Sequence, residues 1–264
     1  MILLDNEKNP PSLLGILGGL GPMSGIYFCE MLTAHTYAKK DSDHLNFLLS
    51  SRADTPDRSS FILGLSDDDP TPRMRSEAKR LEAAGAELLV IPCNTAHYFY
   101  SKVAEAVDIP ILNIIEETAR MCALENIKKV GVLATEGTAK SGAYRDIFSE
   151  YGIEILPLSD EEQNFITETI FDKIKSGLKP NIIEFEKLCN SLNQKGCEKV
   201  ILGCTELSLI KKQYDLPKFI IDSLEVLCVA ALSACQKTPC GFDENLMKLY
   251  YTSIPRKENK NTCM

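Results

Sequence analysis

The stretches LLVIPCNTAHY (Leu88–Tyr98) and KVILGCTELSL (Lys199–Leu209) follow one pattern, and this internal repeat constrains the fold more than any other feature of the chain. Each is an apolar, β-branched run ending in a small or turn residue, then a cysteine, then a threonine within two positions. A second pair precedes them, with SLLGILGGLGP (Ser12–Pro22) echoed by KVGVLATEGT (Lys129–Thr138). Gly15 lies 78 positions before Cys93, and Gly131 lies 73 before Cys204. Buried parallel strands share a Val/Ile/Leu-rich composition, so one match carries little. Two matches in the same order at nearly the same separation indicate a duplicated, pseudo-symmetric unit.

Short apolar strands alternate with amphipathic helices in both units. Strands are predicted at 13–17, 46–50, 87–92 and 111–113, then at 129–133, 153–156, 199–202 and 219–221. Helices are predicted at 24–37, 71–84 and 98–106, then at 139–151, 164–176, 181–195 and 223–235. This alternation makes βαβ units and parallel sheets. The expected fold class is therefore α/β: two pseudo-symmetric domains, each a short, mainly parallel sheet flanked by helices. The first domain is expected over 12–115, completed by 223–250, and the second over 116–222, with the join in 115–127. Residues 5–12 and 256–264 are expected to fray.

Composition removes several function classes. With 44% hydrophobic and 25% charged residues, the 264-residue chain reads as a soluble globular protein. Its apolar runs fall short of the ~20 residues of a membrane span. Acids and prolines in MILLDNEKNPPS interrupt any secretory core, so a cytoplasmic location and no membrane partner are expected. Ten cysteines without a C-x-x-C, and only three histidines, fit neither a zinc site nor a redox pair, so no metal is expected. A reducing compartment keeps such cysteines as free thiols. The net charge of −8, with no basic run, speaks against nucleic acid as a partner. An anionic substrate would have to be held by a few local cations against that field.

Cys93 and Cys204 carry the chemistry. Each sits where a strand ends and a helical turn begins, and there backbone N–H groups stabilise a thiolate. Free cysteine titrates near 8.5, so modest stabilisation yields a base at neutral pH. Two thiols facing one substrate from opposite sides suit moving a proton across a molecule. The turn Gly18-Gly19-Leu20-Gly21-Pro22 lacks both the G-x-G-x-x-G spacing and a Walker lysine. It reads as a tight strand-to-helix turn that lets backbone come close to a ligand. Arg52 and Arg58 lie in a loop after a strand, and an arginine there can grip a carboxylate through two parallel N–H bonds. His97 reads either as an acid or base or as a helix cap, and Lys173 and Lys175 sit at a predicted helix end.

With these residues assembled, the chain resembles the aspartate/glutamate racemase family of cofactor-independent amino-acid racemases. The matching pieces are GILGGLGPMSG, TPDRSSFILG, IPCNTAHYFY, VGVLATEGT and ILGCTEL, in the family's order over nearly the whole chain. The resemblance implies an active site in a cleft between two domains, a small amino-acid substrate, no cofactor, and a homodimer. It makes Cys93 and Cys204 the two acid/base residues, with Asn94, Thr95 and Thr205 binding the substrate amino and carboxylate groups. Arg58 would hold the side-chain carboxylate. Lys175 (with Lys173 the other reading), Thr138 and Glu206 complete the implied site. The P-D-R match favours aspartate over glutamate, while Gly25 stands where the aspartate racemase pattern usually has threonine. A dicarboxylate isomerase or decarboxylase on the same fold, or a non-catalytic carboxylate-binding protein, are the alternatives.

Overall fold

A computed structural model of the chain describes residues 10–253. The ends expected to fray lie, up to residue 9 and from 254 on, outside these residues. The first half runs β1 (Leu13–Gly18), α1 (Pro22–Ala34), β2 (Asn46–Ser51), α2 (Arg58–Ile62), α3 (Thr71–Ala83), β3 (Leu88–Val90), α4 (Tyr100–Ala104), β4 (Ile111–Leu112) and α5 (Ile114–Leu124). The second runs β5 (Lys129–Leu133), α6 (Glu136–Ser141), α7 (Ala143–Glu150), β6 (Glu154–Leu156), α8 (Asp160–Glu168), α9 (Ile182–Gln194), β7 (Lys199–Leu202), α10 (Ser208–Gln213) and β8 (Ile220–Asp222). Helices α11 (Ser223–Ala234) and α12 (Glu244–Ser253) follow.

The strands form two four-stranded sheets, ordered β2-β1-β3-β4 and β6-β5-β7-β8, with every pairing parallel. The order is the same in both, so the repeat in the sequence is a repeat in topology. Gly15 serves this packing: a Cβ there would strike the Leu89 side chain and stand 2.9 Å from the Ala86 Cβ. Its absence lets β1 and β3 close up against α3.

The core has three parts. Met74, Leu81, Leu89 and Phe99 fill one side of the first sheet, and Phe185, Leu188, Leu192 and Leu202 fill one side of the second. Between the sheets lies a common core that takes Leu14 and Leu88 from the first, Val130 and Ile201 from the second, and most of α11. Helix α11 packs on α5, α1 and α12. It is buried on nearly all sides, which explains its almost wholly apolar sequence.

Helix boundaries follow local chemistry. Asn113 and Asp222 cap α5 and α11 with side-chain oxygens, and Ser159 with Glu162 forms a capping box on α8. The helix expected over 139–151 is instead two helices, because Gly142 turns left-handed at φ 76° and breaks it. The stretch expected to join the two units, 115–127, is mostly the capped helix α5. No helix among the described residues is long and apolar enough to cross a membrane.

Candidate active site

The C-terminal ends of β1, β2, β3 and β7 converge on one pocket, as ligand sites do in parallel α/β sheets. Its walls are Leu20 after β1, Asp57, Arg58 and Ser59 after β2, Cys93, Asn94 and Thr95 after β3, and Cys204, Thr205 and Glu206 after β7. Lys175 closes it. The open volume is about 10 Å³, room for one water molecule, so the pocket is narrow and its lining must part to admit an amino acid.

Cys93 and Cys204 both line this pocket and are almost fully buried, at 6% and 5% exposure. The backbone N–H of Ala96 faces the Cys93 thiol. The segment behind it is a 3₁₀ turn over Thr95–Phe99 rather than the expected α-helix, so this single amide replaces a helix N-terminus. Burial pushes the Cys93 thiol above its ordinary value, opposed by the Arg58 charge, raised further by Glu206 and lowered by the Ala96 amide and Lys175. Cys204 is pushed well above, by burial first and then by the Glu206 carboxylate beside it. Loss of water on burial thus opposes the thiolate that the local donors favour.

Arg58 is buried and fully engaged on one side. Its Nη1 donates to the carbonyls of Thr55 (3.2 Å) and Pro56 (2.9 Å), and its Nη2 to that of Leu20 (2.9 Å). The Nε has no partner. Arg52, the other cation of that loop, pairs with Asp54 at 2.9 Å outside the pocket lining. Lys175 follows a π-helical turn over Thr169–Ile174, which interrupts the regular helix just before it. Its Nζ sits 3.5 Å from Glu206 Oε1 and 4.7 Å from the centre of the Phe171 ring. Lys175, not Lys173, lines the pocket.

The amide of Asn94 is held at both ends, donating to Ser223 Oγ (3.0 Å) and accepting from Tyr144 Oη (2.7 Å). Thr95, Thr135 and Thr138 form a buried triangle of hydroxyls 2.8–3.0 Å apart. Thr138 thus stands behind Thr95 rather than in the pocket wall. His97 is buried, with Nδ1 2.9 Å from the Cys93 carbonyl and Nε2 accepting the Ile114 N–H at 3.2 Å. Burial holds it neutral, with a pKa lowered to about 4. With both ring nitrogens engaged, its role is to tie the Cys93 turn to the start of α5. Asp57 and Ser59 are pocket residues that the sequence analysis did not single out, although Asp57 stands within the P-D-R match, whereas Leu20 belongs to the turn expected to come close to a ligand. Gly25 is not in the lining, and a Cβ there would meet only ordinary contacts, the nearest 3.7 Å away. Among the described residues no group of three or more His, Cys, Asp and Glu side chains could hold a metal ion.

A profile of Asp/Glu/hydantoin racemases matches residues 17–231. The chain belongs to that family. It is 28% identical over 238 residues to the broad specificity amino-acid racemase RacX of Bacillus subtilis (strain 168), covering 84% of this chain and 97% of RacX. The fold is similar to that of Picrophilus torridus aspartate racemase, with a TM-score of 0.75 at 27% identity over 90% of this chain and 99% of that one. It is also similar to an aspartate racemase homologue from Pyrococcus horikoshii OT3, with a TM-score of 0.70 at 26% identity over 85% and 99% of the two chains. The family and fold expected from the sequence are those found.

Proposed function

We propose that this amino-acid racemase works without a cofactor, through proton transfer by Cys93 and Cys204 on opposite faces of the substrate's α-carbon. The observation that carries this reading is that the two thiols, placed at equivalent strand ends of two topologically identical sheets, line one buried pocket with Arg58 and Lys175. One cysteine, as thiolate, takes the α-proton. The electron pair left on carbon spreads into the α-carboxylate, and the other thiol delivers its proton from the far side. The roles reverse for the other enantiomer.

A narrow, water-poor pocket strengthens every donor aimed at the developing charge. Asn94, Thr95 and Thr205 are the substrate's amino and carboxylate contacts in this reading, with Thr138 steadying Thr95. Arg58 and Lys175 are the cations for a second carboxylate, which makes an acidic amino acid, aspartate before glutamate, the substrate. The pocket is taken as a cleft between domains 12–115 (with 223–250) and 116–222, and the enzyme as a cytoplasmic homodimer. Exposed Met23 and Ile26 on α1 support the pairing, which sedimentation tests.

A wider substrate range is the second reading. It is favoured by the balance of charge in the lining, where Arg58 adjoins Asp57 and Lys175 pairs with Glu206. Incubating the protein with single L-amino acids and separating the products on a chiral column decides between them. D-aspartate as the dominant product supports the first reading, and similar rates for neutral amino acids the second. A dicarboxylate isomerase or a silent binding protein gives no D-amino acid at all.

A further inference from the structure

Glu206 has an arrangement that substrate binding alone does not explain. The Cys204 Sγ donates to its Oε2 at 3.0 Å, while its Oε1 is buried without a hydrogen bond, 3.5 Å from Lys175 Nζ. The turn after β1 is shaped around this carboxylate. Gly21 has φ 137°, and a Cβ on it would strike Glu206 Oε1. Among the described residues no carboxylate is hydrogen-bonded to Cys93. The Arg58 charge, the Ala96 N–H and the Lys175 charge favour its thiolate, against the charge of Glu206. Two pseudo-symmetric strand ends thus carry unlike partners, an acceptor at one thiol and donors at the other.

We propose that Glu206 is a positioning residue that keeps Cys204 protonated at rest, so that Cys93 is the more readily ionised of the two thiols and Cys204 the acid. This deepens the two-cysteine reading above and rests on it for its catalytic meaning. In the first half-reaction the α-proton goes to the Cys93 sulfur, and the proton held between Cys204 and Glu206 goes to carbon. That leaves a Cys204 thiolate beside a carboxylate, a pair of like charges moderated by Lys175. Before the next turnover Cys93 releases to solvent the proton it took and Cys204 takes one up from solvent, and the enantiomer that needs Cys204 as base meets the less populated form. The equilibrium constant of a racemisation is one, so kcat/KM is equal in the two directions. The asymmetry therefore lies in unequal kcat and KM.

The test is competitive alkylation of the free protein with iodoacetamide at neutral pH, with Cys93 and Cys204 quantified by mass spectrometry. In the unaltered protein Cys93 is labelled first. Glu206→Gln removes the charge but keeps the shape, and the Cys204-to-Cys93 labelling ratio rises on the order of tenfold. Glu206→Asp, which keeps the carboxylate, restores the order. Lys175→Met moves the ratio the other way. An unchanged ratio in Glu206→Gln and Lys175→Met, or Cys204 labelled first in the unaltered protein, overturns the assignment. Racemisation assayed on the same samples separates the two proposals. Labelling that shifts without any racemase activity leaves the Glu206 pairing standing and removes the two-cysteine reading, and the converse removes only Glu206.

Discussion

The Thr205 hydroxyl donates to the Pro92 carbonyl across 3.3 Å, so the residue after one cysteine is tied to the residue before the other. This bond runs between the two sheets at the point where their cysteine-bearing strands end. Thr205→Val keeps the shape and leaves the Pro92 carbonyl unpaired. Losing a buried partner costs roughly 1–3 kcal/mol. The urea midpoint should fall accordingly, and kcat should fall with it because the spacing of the thiols is relaxed. An unchanged midpoint and kcat would show that the bond does not set that spacing.

Gly21 has φ 137° and faces Glu206. Gly21→Ala is expected to lose stability through backbone strain of order 1–3 kcal/mol, and to lose racemase activity by displacing the Glu206 carboxylate. Gly152, at φ 67° with no atom near a would-be Cβ, is the comparison. Gly152→Ala costs only the left-handed conformation and leaves activity intact. Equal activity in the two variants would refute the role given to Gly21.

His97 links pH to stability. Its folded pKa is lowered to about 4 by burial, whereas in the unfolded chain it titrates near 6.5. Below that value the unfolded state binds the extra proton and the folded state does not, so stability falls as pH drops from about 6.5 to 4. The full loss is roughly 3 kcal/mol. Urea unfolding at pH 7 and pH 4.5 measures it, and His97→Gln should flatten the slope. A slope unchanged in that variant would place the acid sensitivity elsewhere.

The buried thiols outside the pocket act in the opposite direction. Burial pushes Cys122, Cys189 and Cys235 up to about 12, so each contributes stability that is full below about 8.5 and is lost as pH rises toward the folded value. The protein should therefore weaken between pH 9 and 11. Replacing all three by alanine should lower stability at pH 7 but flatten that alkaline decline, while racemase activity persists. Loss of activity would mean that one of them reaches the pocket.

The strands were legible because a doubly buried parallel strand must be apolar and must end at a turn. The predicted 129–133 and 199–202 are the observed β5 and β7. The pocket thiols were legible as a repeated strand end. What the periodicity hid was local. Helices α2 and α10 are five and six residues long, too short for an amphipathic pattern. The apolar positions of α5 begin directly after β4, so strand and helix merge in the sequence. The hydrogen bonds of His97, the hydroxyl triangle and the Glu206–Cys204 contact join residues far apart in the chain or unlike in type. Only the folded arrangement brings Thr95 to Thr138 or gives Glu206 both a thiol and an ammonium group.

The central claim is that two different groups handle the proton on the two faces of one carbon. The most direct measurement is racemisation of L-aspartate in D₂O, stopped early, with the α-position of each enantiomer read by NMR and mass spectrometry after chiral separation. Two cysteines predict that the D-aspartate formed carries deuterium at the α-carbon while the remaining L-aspartate still carries protium. Deuterium appearing equally in both enantiomers from the outset would mean a single base serving both faces, and would contradict the account.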